Sequence, residues 1–226
     1  MTEKVFNPFE SEEITPPYSD HWQAKRRLAQ ALRELTDVLV TSTPSIEEMD
    51  EIAERLELQA RQFAKAPRLY GQMAFQADGA HGARGEVNHE LNALGGWSNP
   101  LAPGMNMWFE GERAVGTVKC GWAYEGPPGH IHGGYVAAIF DQFMGMAQII
   151  GKQPGMTGTL NVRYLRPTPL NTELQLAAWL ERLEGRKTII KAEMRNGATV
   201  TASCEALFIR PKGGLGLRDM DHSSPD

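Results

Sequence analysis

Apolar and polar positions divide the chain into a helical first third and a strand-rich second half. Between 20 and 40, Leu28, Leu32, Leu35 and Leu39 recur at i, i+4, i+7 and i+11, which predicts an amphipathic helix. After "TSTP", Ser45 with Glu48 three residues on forms a capping box. The serine accepts the N3 amide, and the glutamate reaches back to the cap N–H. Met49, Ile52, Leu56 and Phe63 then line one face of a second helix, which Pro67 stops. Residues 20–66 therefore read as a helical hairpin, a structural or oligomer-covering extension without a chemical constellation of its own. Residues 67–104 are rich in Gly, Ala, Asn and Pro and read as linker and loop; His81 and His89 there match no metal-ligand spacing.

From 105 the texture changes. "MNMWFE" and "RAVGTVKCGWA" are strand-like runs joined by "GER"; a long apolar stretch follows, then "TGTLNVRYLRP", "TELQLAAWLERLE", "KTIIKAEMRN" and "TVTASCEALFIRP". Asn196-Gly197 predicts a type I′ hairpin turn, since both residues tolerate positive φ. Two strands, one apolar helix and four antiparallel strands make an α+β domain over 105–212, a curled sheet around a central helix. Residues 1–19 read as a disordered or extended N-terminus and 213–226 as a flexible tail.

Composition narrows the class without changing this outline. The chain has 226 residues, 41% hydrophobic and 23% charged, ordinary values for a globular domain with an extension. Its two cysteines, Cys120 and Cys204, sit in strand-like runs. They are too few for a disulfide scaffold, read as core, and fit a reducing cytoplasmic home. The first twenty residues lack a basic n-region and an apolar h-region, so they do not read as a secretory signal, and no apolar run has the length of a membrane span.

A formal charge of −5 argues against nucleic acid, yet residues 151–212 carry 10 bases against 5 acids, whereas 1–66 carry 8 against 13. The basic half suits a small polyanionic ligand or a solvated strand face.

The chemistry gathers in "EGPPGHIHGGYVAAIFDQFMGMAQII", residues 125–150. The helix from Gly134 to Ile150 reads as apolar on nearly every face and so as buried all round, with one carboxylate, Asp141, that would be costly to ionise unless donors or a cavity meet it. His132-Gly133-Gly134 opens the helix, where amides lack intrahelical partners and the dipole is positive, so an oxyanion can be held there. A tight turn with a core histidine is the plain alternative. Asp141 lies nine residues beyond His132, about 13–14 Å along the axis. Either the two ends serve different purposes, or antiparallel copies of the helix meet in a homodimer.

"GHIHGGYVAAIFDQFMGMA", "MTGTLNVRYLRPTPL" and "EGRKTIIKAEMRN" resemble the hotdog-fold acyl-CoA thioesterases of the PaaI type, over roughly residues 96–212. The resemblance implies hydrolysis of an acyl-CoA to a free acid and CoA in a homodimer or dimer of dimers, a role in lipid metabolism, and no cofactor. By resemblance, the Gly133 amide polarises the thioester carbonyl and Asp141 of the partner subunit activates water or attacks directly. His132 holds the turn, Thr157 hydrogen-bonds the water or the aspartate, and Gly134 lines the substrate path. Arg163, Arg166, Arg186 and Lys187 are candidates for the CoA phosphates, Arg166 foremost. A non-catalytic acyl-CoA binding or sensing protein on the same fold is the alternative. A hotdog dehydratase fits poorly, because the apolar helix itself carries no histidine.

Overall fold

The computed structural model describes residues 19–82 and 84–212. The expectations for 1–18 and 213–226 lie outside the described residues. Helices α1 (Asp20–Leu39), α2 (Ile46–Phe63), α3 (Gln72–Asp78) and α4 (Arg84–Leu91) precede strands β1 (Met105–Glu110) and β2 (Arg113–Val118). A 3-10 turn at Trp122–Tyr124, helix α5 (Gly133–Ala147), a second 3-10 turn at Gln148–Gly151 and strands β3 (Met156–Tyr164), β4 (Leu174–Glu184), β5 (Lys187–Asn196) and β6 (Thr199–Ile209) follow among the described residues. The six strands form one antiparallel sheet in the order β1-β2-β4-β5-β6-β3.

The sheet's period-two pattern explains how it curls around α5. Ala114, Leu174, Leu176, Ala178, Ile190, Met194, Ala202, Ala206 and Phe208 project from one face, and Ile139, Phe140, Phe143 and Met144 of α5 fill the trough they make. Gly116 permits this seating: a Cβ there would lie 3.0 Å from the Phe143 ring and 2.4 Å from the Asn106 carbonyl oxygen. Three two-residue hairpins, at 111–112, 185–186 and 197–198, each place glycine first with φ near +60°. The last corrects the expected turn. Asn196 pairs with Thr199 as the end of the strand, so the loop residues are Gly197 and Ala198, a Gly-first arrangement in place of type I′.

The N-terminal helices correct two further expectations. Residues 67–104 hold α3 and α4 rather than loop alone, and Glu90 on α4 is fully buried. More unexpectedly, α1 docks by its polar face, Trp22, Arg26, Ala29, Arg33 and Asp37, while Leu28, Leu32 and Leu39 stay exposed. The physical reason is that this polar face meets partners one by one. Trp22 Nε1 donates to the His81 carbonyl at 2.8 Å. Arg26 clasps Glu90 with Nη2 at 2.6 Å and Nε at 2.9 Å from Oε1. Arg33 Nη1 donates to the Asn99 carbonyl at 3.1 Å. Helix α2, capped by Ser45 and Glu48 as the capping box requires, buries none of its residues. Among the described residues no helix is long and apolar enough to cross a membrane.

Because Ser98 Oγ also donates to Glu90, the buried carboxylate is well supplied only while Arg26 stays. Arg26→Ala leaves it uncompensated, and urea unfolding should show a loss of about 3–5 kcal/mol, whereas Arg55→Ala on exposed α2 should cost well under about 1 kcal/mol.

Candidate active site

Helix α5 enters the sheet from the turn Gly126–Ile131. Its N-cap is His132, whose Nδ1 accepts the Gly134 N–H at 3.0 Å. Accepting there requires an unprotonated Nδ1, so the neutral ring carries its proton on Nε2. The Gly133 carbonyl accepts the Tyr164 hydroxyl at 2.9 Å, and Tyr135 and Val136 N–H groups bond back to the His132 carbonyl. Every group of the first peptide units is thus engaged except the Gly133 N–H, which has no bond among the described residues. One amide at a positive helix end is left to meet an anion.

Asp141 corrects an expectation. The helix is not buried all round: Gly134, Ala137, Ala138, Asp141 and Gly145 form a stripe of exposed and half-exposed positions, and Asp141 itself is exposed. The carboxylate stands at an open wall rather than inside the core. Thr157 Oγ1 donates to Asp141 Oδ1 at 2.9 Å, so the structure brings these two together. A β-bulge makes the contact. Leu160, Val162 and Tyr164 face the helix side, and strict alternation would send Thr157 to the opposite face. The register slips by one residue at Gly158, with Thr157 opposite Phe208 but Thr159 opposite Leu207, which turns Thr157 toward α5. The sequence signal was a glycine inside a strand run, "TGTLNV".

Gly133 and Asp141 are eight residues apart on one helix, about 12 Å along its axis. The basic candidates fall into two groups. Arg186 and Lys187 lie at the Thr157 end, since Lys187 pairs with Ile209 and Ile209 with Met156; Arg186 Nη1 donates to the Arg210 carbonyl at 2.7 Å. Arg163 and Arg166 lie at the Gly133 end. Arg163 points to the sheet face away from α5, into a cleft of about 770 Å³ with Asn161, Trp179 and Lys191. Arg166 is exposed, and its backbone N–H is bound to the Thr201 carbonyl at 3.0 Å.

Cys120 and Cys204 are buried, and burial pushes both thiols up to about 12, which leaves them unreactive at neutral pH. Among the described residues no three of His, Cys, Asp and Glu come together in a way that could hold a metal ion. Sequence reasoning missed Tyr164, the hydroxyl that ties the first peptide of the helix to β3, and Tyr124, whose carbonyl accepts the His132 N–H at 2.9 Å.

A single curled antiparallel sheet wrapped around one central helix is a hotdog fold. The chain belongs to the thioesterase superfamily. The model of that superfamily matches residues 128–203. A thioesterase superfamily protein of known crystal structure is 31% identical, with a TM-score of 0.70 over 86% of this chain and 97% of that one. That coverage exceeds what residues 105–212 alone supply, so the likeness reaches into the N-terminal helices.

Mouse acyl-coenzyme A thioesterase THEM4 is 32% identical over 101 residues, 44% of each chain. Human acyl-coenzyme A thioesterase THEM5 is 27% identical over 101 residues, 44% of this chain and 41% of that protein. The chain thus spans less than half the length of the curated relatives it matches.

The cap on α5 gives a direct test. His132→Ala should lower stability by about 1 kcal/mol, while His132→Asn, whose side-chain oxygen can accept the same N–H, should retain most of it; urea midpoints separate the two.

Proposed function

We propose that this protein is an acyl-CoA thioesterase, hydrolysing an acyl-CoA thioester to the free acid and CoA. The observation that carries the reading is the Asp141–Thr157 pair at 2.9 Å on the open stripe of α5. The Thr157 hydroxyl occupies Oδ1 and orients the carboxylate, leaving Oδ2 to take a proton from water. Water oxygen then attacks the thioester carbonyl carbon, and negative charge develops on the carbonyl oxygen. The Gly133 N–H is the donor for that oxyanion, reinforced by the helix dipole. When the tetrahedral intermediate collapses, the C–S bond breaks and the thiolate leaves to be protonated as free CoA. Direct attack by Asp141 would instead form an anhydride that water later opens. The hydrogen bond from the Gly134 N–H to His132 supports a turn-holding role for His132, and Gly134 lines the path of the substrate.

The same geometry supports a homodimer with composite sites. About 12 Å separates Gly133 from Asp141 along one helix, too far for a single carbonyl to meet both. Strand β3, an edge of the sheet, leaves Met156 and Tyr164 exposed, with Leu165 exposed just beyond it, as expected of a surface that a second copy covers. In the pair, Asp141 of one chain serves the carbonyl held at Gly133 of the other. The divided basic residues follow the same logic, since a CoA lying across two chains can draw Arg186 and Lys187 from one and Arg166 from the other onto its phosphates.

A thiol-release assay with short, medium, long and aromatic acyl-CoAs tests the reading. Wild type should turn over at least one class, and Asp141→Ala should lower kcat on the order of 10²–10⁴-fold without a change in fold. Undiminished hydrolysis by that variant would sink the mechanism. Tight CoA binding with no hydrolysis of any thioester would point to a binding or sensing protein instead.

A further inference from the structure

Helix α1 ends against the segment that leads into the active-site turn. Asp37, in its last turn, aims Oδ1 at the Ala123 N–H, 3.3 Å away, in the 3-10 turn Trp122–Tyr124. The contact is close enough that a Cβ on Gly121 would sit 2.3 Å from Asp37 Oδ1. Three links lead from that turn to the site. The Tyr124 carbonyl accepts the His132 N–H at 2.9 Å. The Tyr124 ring packs edge-on against Tyr135 in the first turn of α5, with centroids 4.8 Å apart. The Tyr124 hydroxyl donates to the Leu101 carbonyl at 3.0 Å, in the same loop whose Trp97 and Asn99 carbonyls accept from Arg33 of α1. Helix α1 therefore reaches the surroundings of Tyr124 by two indirect routes, through Asp37 to the neighbouring Ala123 N–H and through Arg33 to the loop that accepts the Tyr124 hydroxyl.

We propose that Asp37 is a positioning residue for the active-site turn: by holding the Trp122–Tyr124 turn it sets, through Tyr124, the orientation of His132 and the Gly133 N–H. This role rests on the thioesterase reading for its kinetic consequence but not for its structural one. A donor aimed at an oxyanion loses its effect when displaced by a fraction of an ångström, while ground-state binding of a CoA tens of atoms long changes little. The expected signature is a fall in kcat at nearly constant KM. The two sides of the contact can be broken separately. Asp37→Ala removes the acceptor. Gly121→Ala leaves it in place but drives a methyl into it, at a position whose φ of −80° any residue adopts. Asp37→Asn keeps an oxygen that can accept the Ala123 N–H.

The experiment compares wild type, Asp37→Ala, Asp37→Asn, Gly121→Ala and the Asp37→Ala/Gly121→Ala double variant in two readouts. In the thiol-release assay, each alanine variant should lose about tenfold in kcat with KM within about twofold. The double variant should lose no more than either one, and Asp37→Asn should stay near wild type. In hydrogen–deuterium exchange, the amides of residues 130–134 should exchange faster in both alanine variants and at the wild-type rate in Asp37→Asn. Additive losses, a rise in KM at constant kcat, or equal damage by Asp37→Asn would overturn the proposal. Unchanged exchange at His132 would overturn it whether or not any acyl-CoA is hydrolysed, whereas altered exchange in a protein that hydrolyses no thioester would leave the linkage standing and remove only the proposed reaction.

Discussion

Val136, Ile139, Phe140, Phe143 and Met144 seat helix α5 in the trough of the sheet with almost no exposure, and every feature of the candidate site is referenced to that seat. Burying a row of large side chains is worth about 1.5–3 kcal/mol each, enough to hold the helix in one rotation about its axis. That rotation leaves the opposite stripe of Gly134, Ala137, Ala138, Asp141 and Gly145 open. It also fixes where the helix begins, with the Gly133 carbonyl held beside β3 by the Tyr164 hydroxyl. The sheet in turn supplies Thr157 from a bulged strand. A rotation of α5 by one residue would take Asp141 away from Thr157 and send a core side chain into solvent.

Around this center the N-terminal helices make a second body of contacts with a different physics. Where α5 docks through apolar volume, α1 docks through directional bonds, Trp22 to His81, Arg26 to Glu90, Arg33 to Trp97 and Asn99, and Asp37 to Ala123. Such contacts add less from desolvation than an apolar face does, but they define a register along the helix residue by residue. The result is an extension coupled to the loop that precedes the active-site turn, while its leucine stripe remains exposed.

The α+β architecture was legible in the sequence because period-two runs, glycine turns and a capping box each have a local cause. "KTIIKAEMRN" is strand β5 end to end, and Ser45 with Glu48 forms its box. What misled was the assumption that an apolar stripe marks the docked face. For α1 the polar side found partners 59 or more residues away, such as His81 for Trp22 and Glu90 for Arg26, and no local pattern encodes such partners. Asp141 looked buried because its neighbours in sequence are apolar. The open stripe beside it consists of glycine and alanine, which a hydropathy reading counts as core. The Thr157 contact was suggested by resemblance, but its cause, the slip at Gly158, is a three-dimensional fact about strand register.

Complementation between two inactive chains tests the central claim, that Gly133 and Asp141 act across a pair of subunits. Gly133→Pro removes only the donor: proline is tolerated at the first helical position, and His132, at φ −58° and ψ 132°, already has the conformation that a following proline favours. Asp141→Ala removes only the carboxylate. If chains of the two variants are unfolded, mixed in equal amounts and refolded, half the dimers should be mixed and each should hold one intact site, restoring about a quarter of wild-type thioester hydrolysis. Activity no higher than the sum of the separate variants would contradict the shared site.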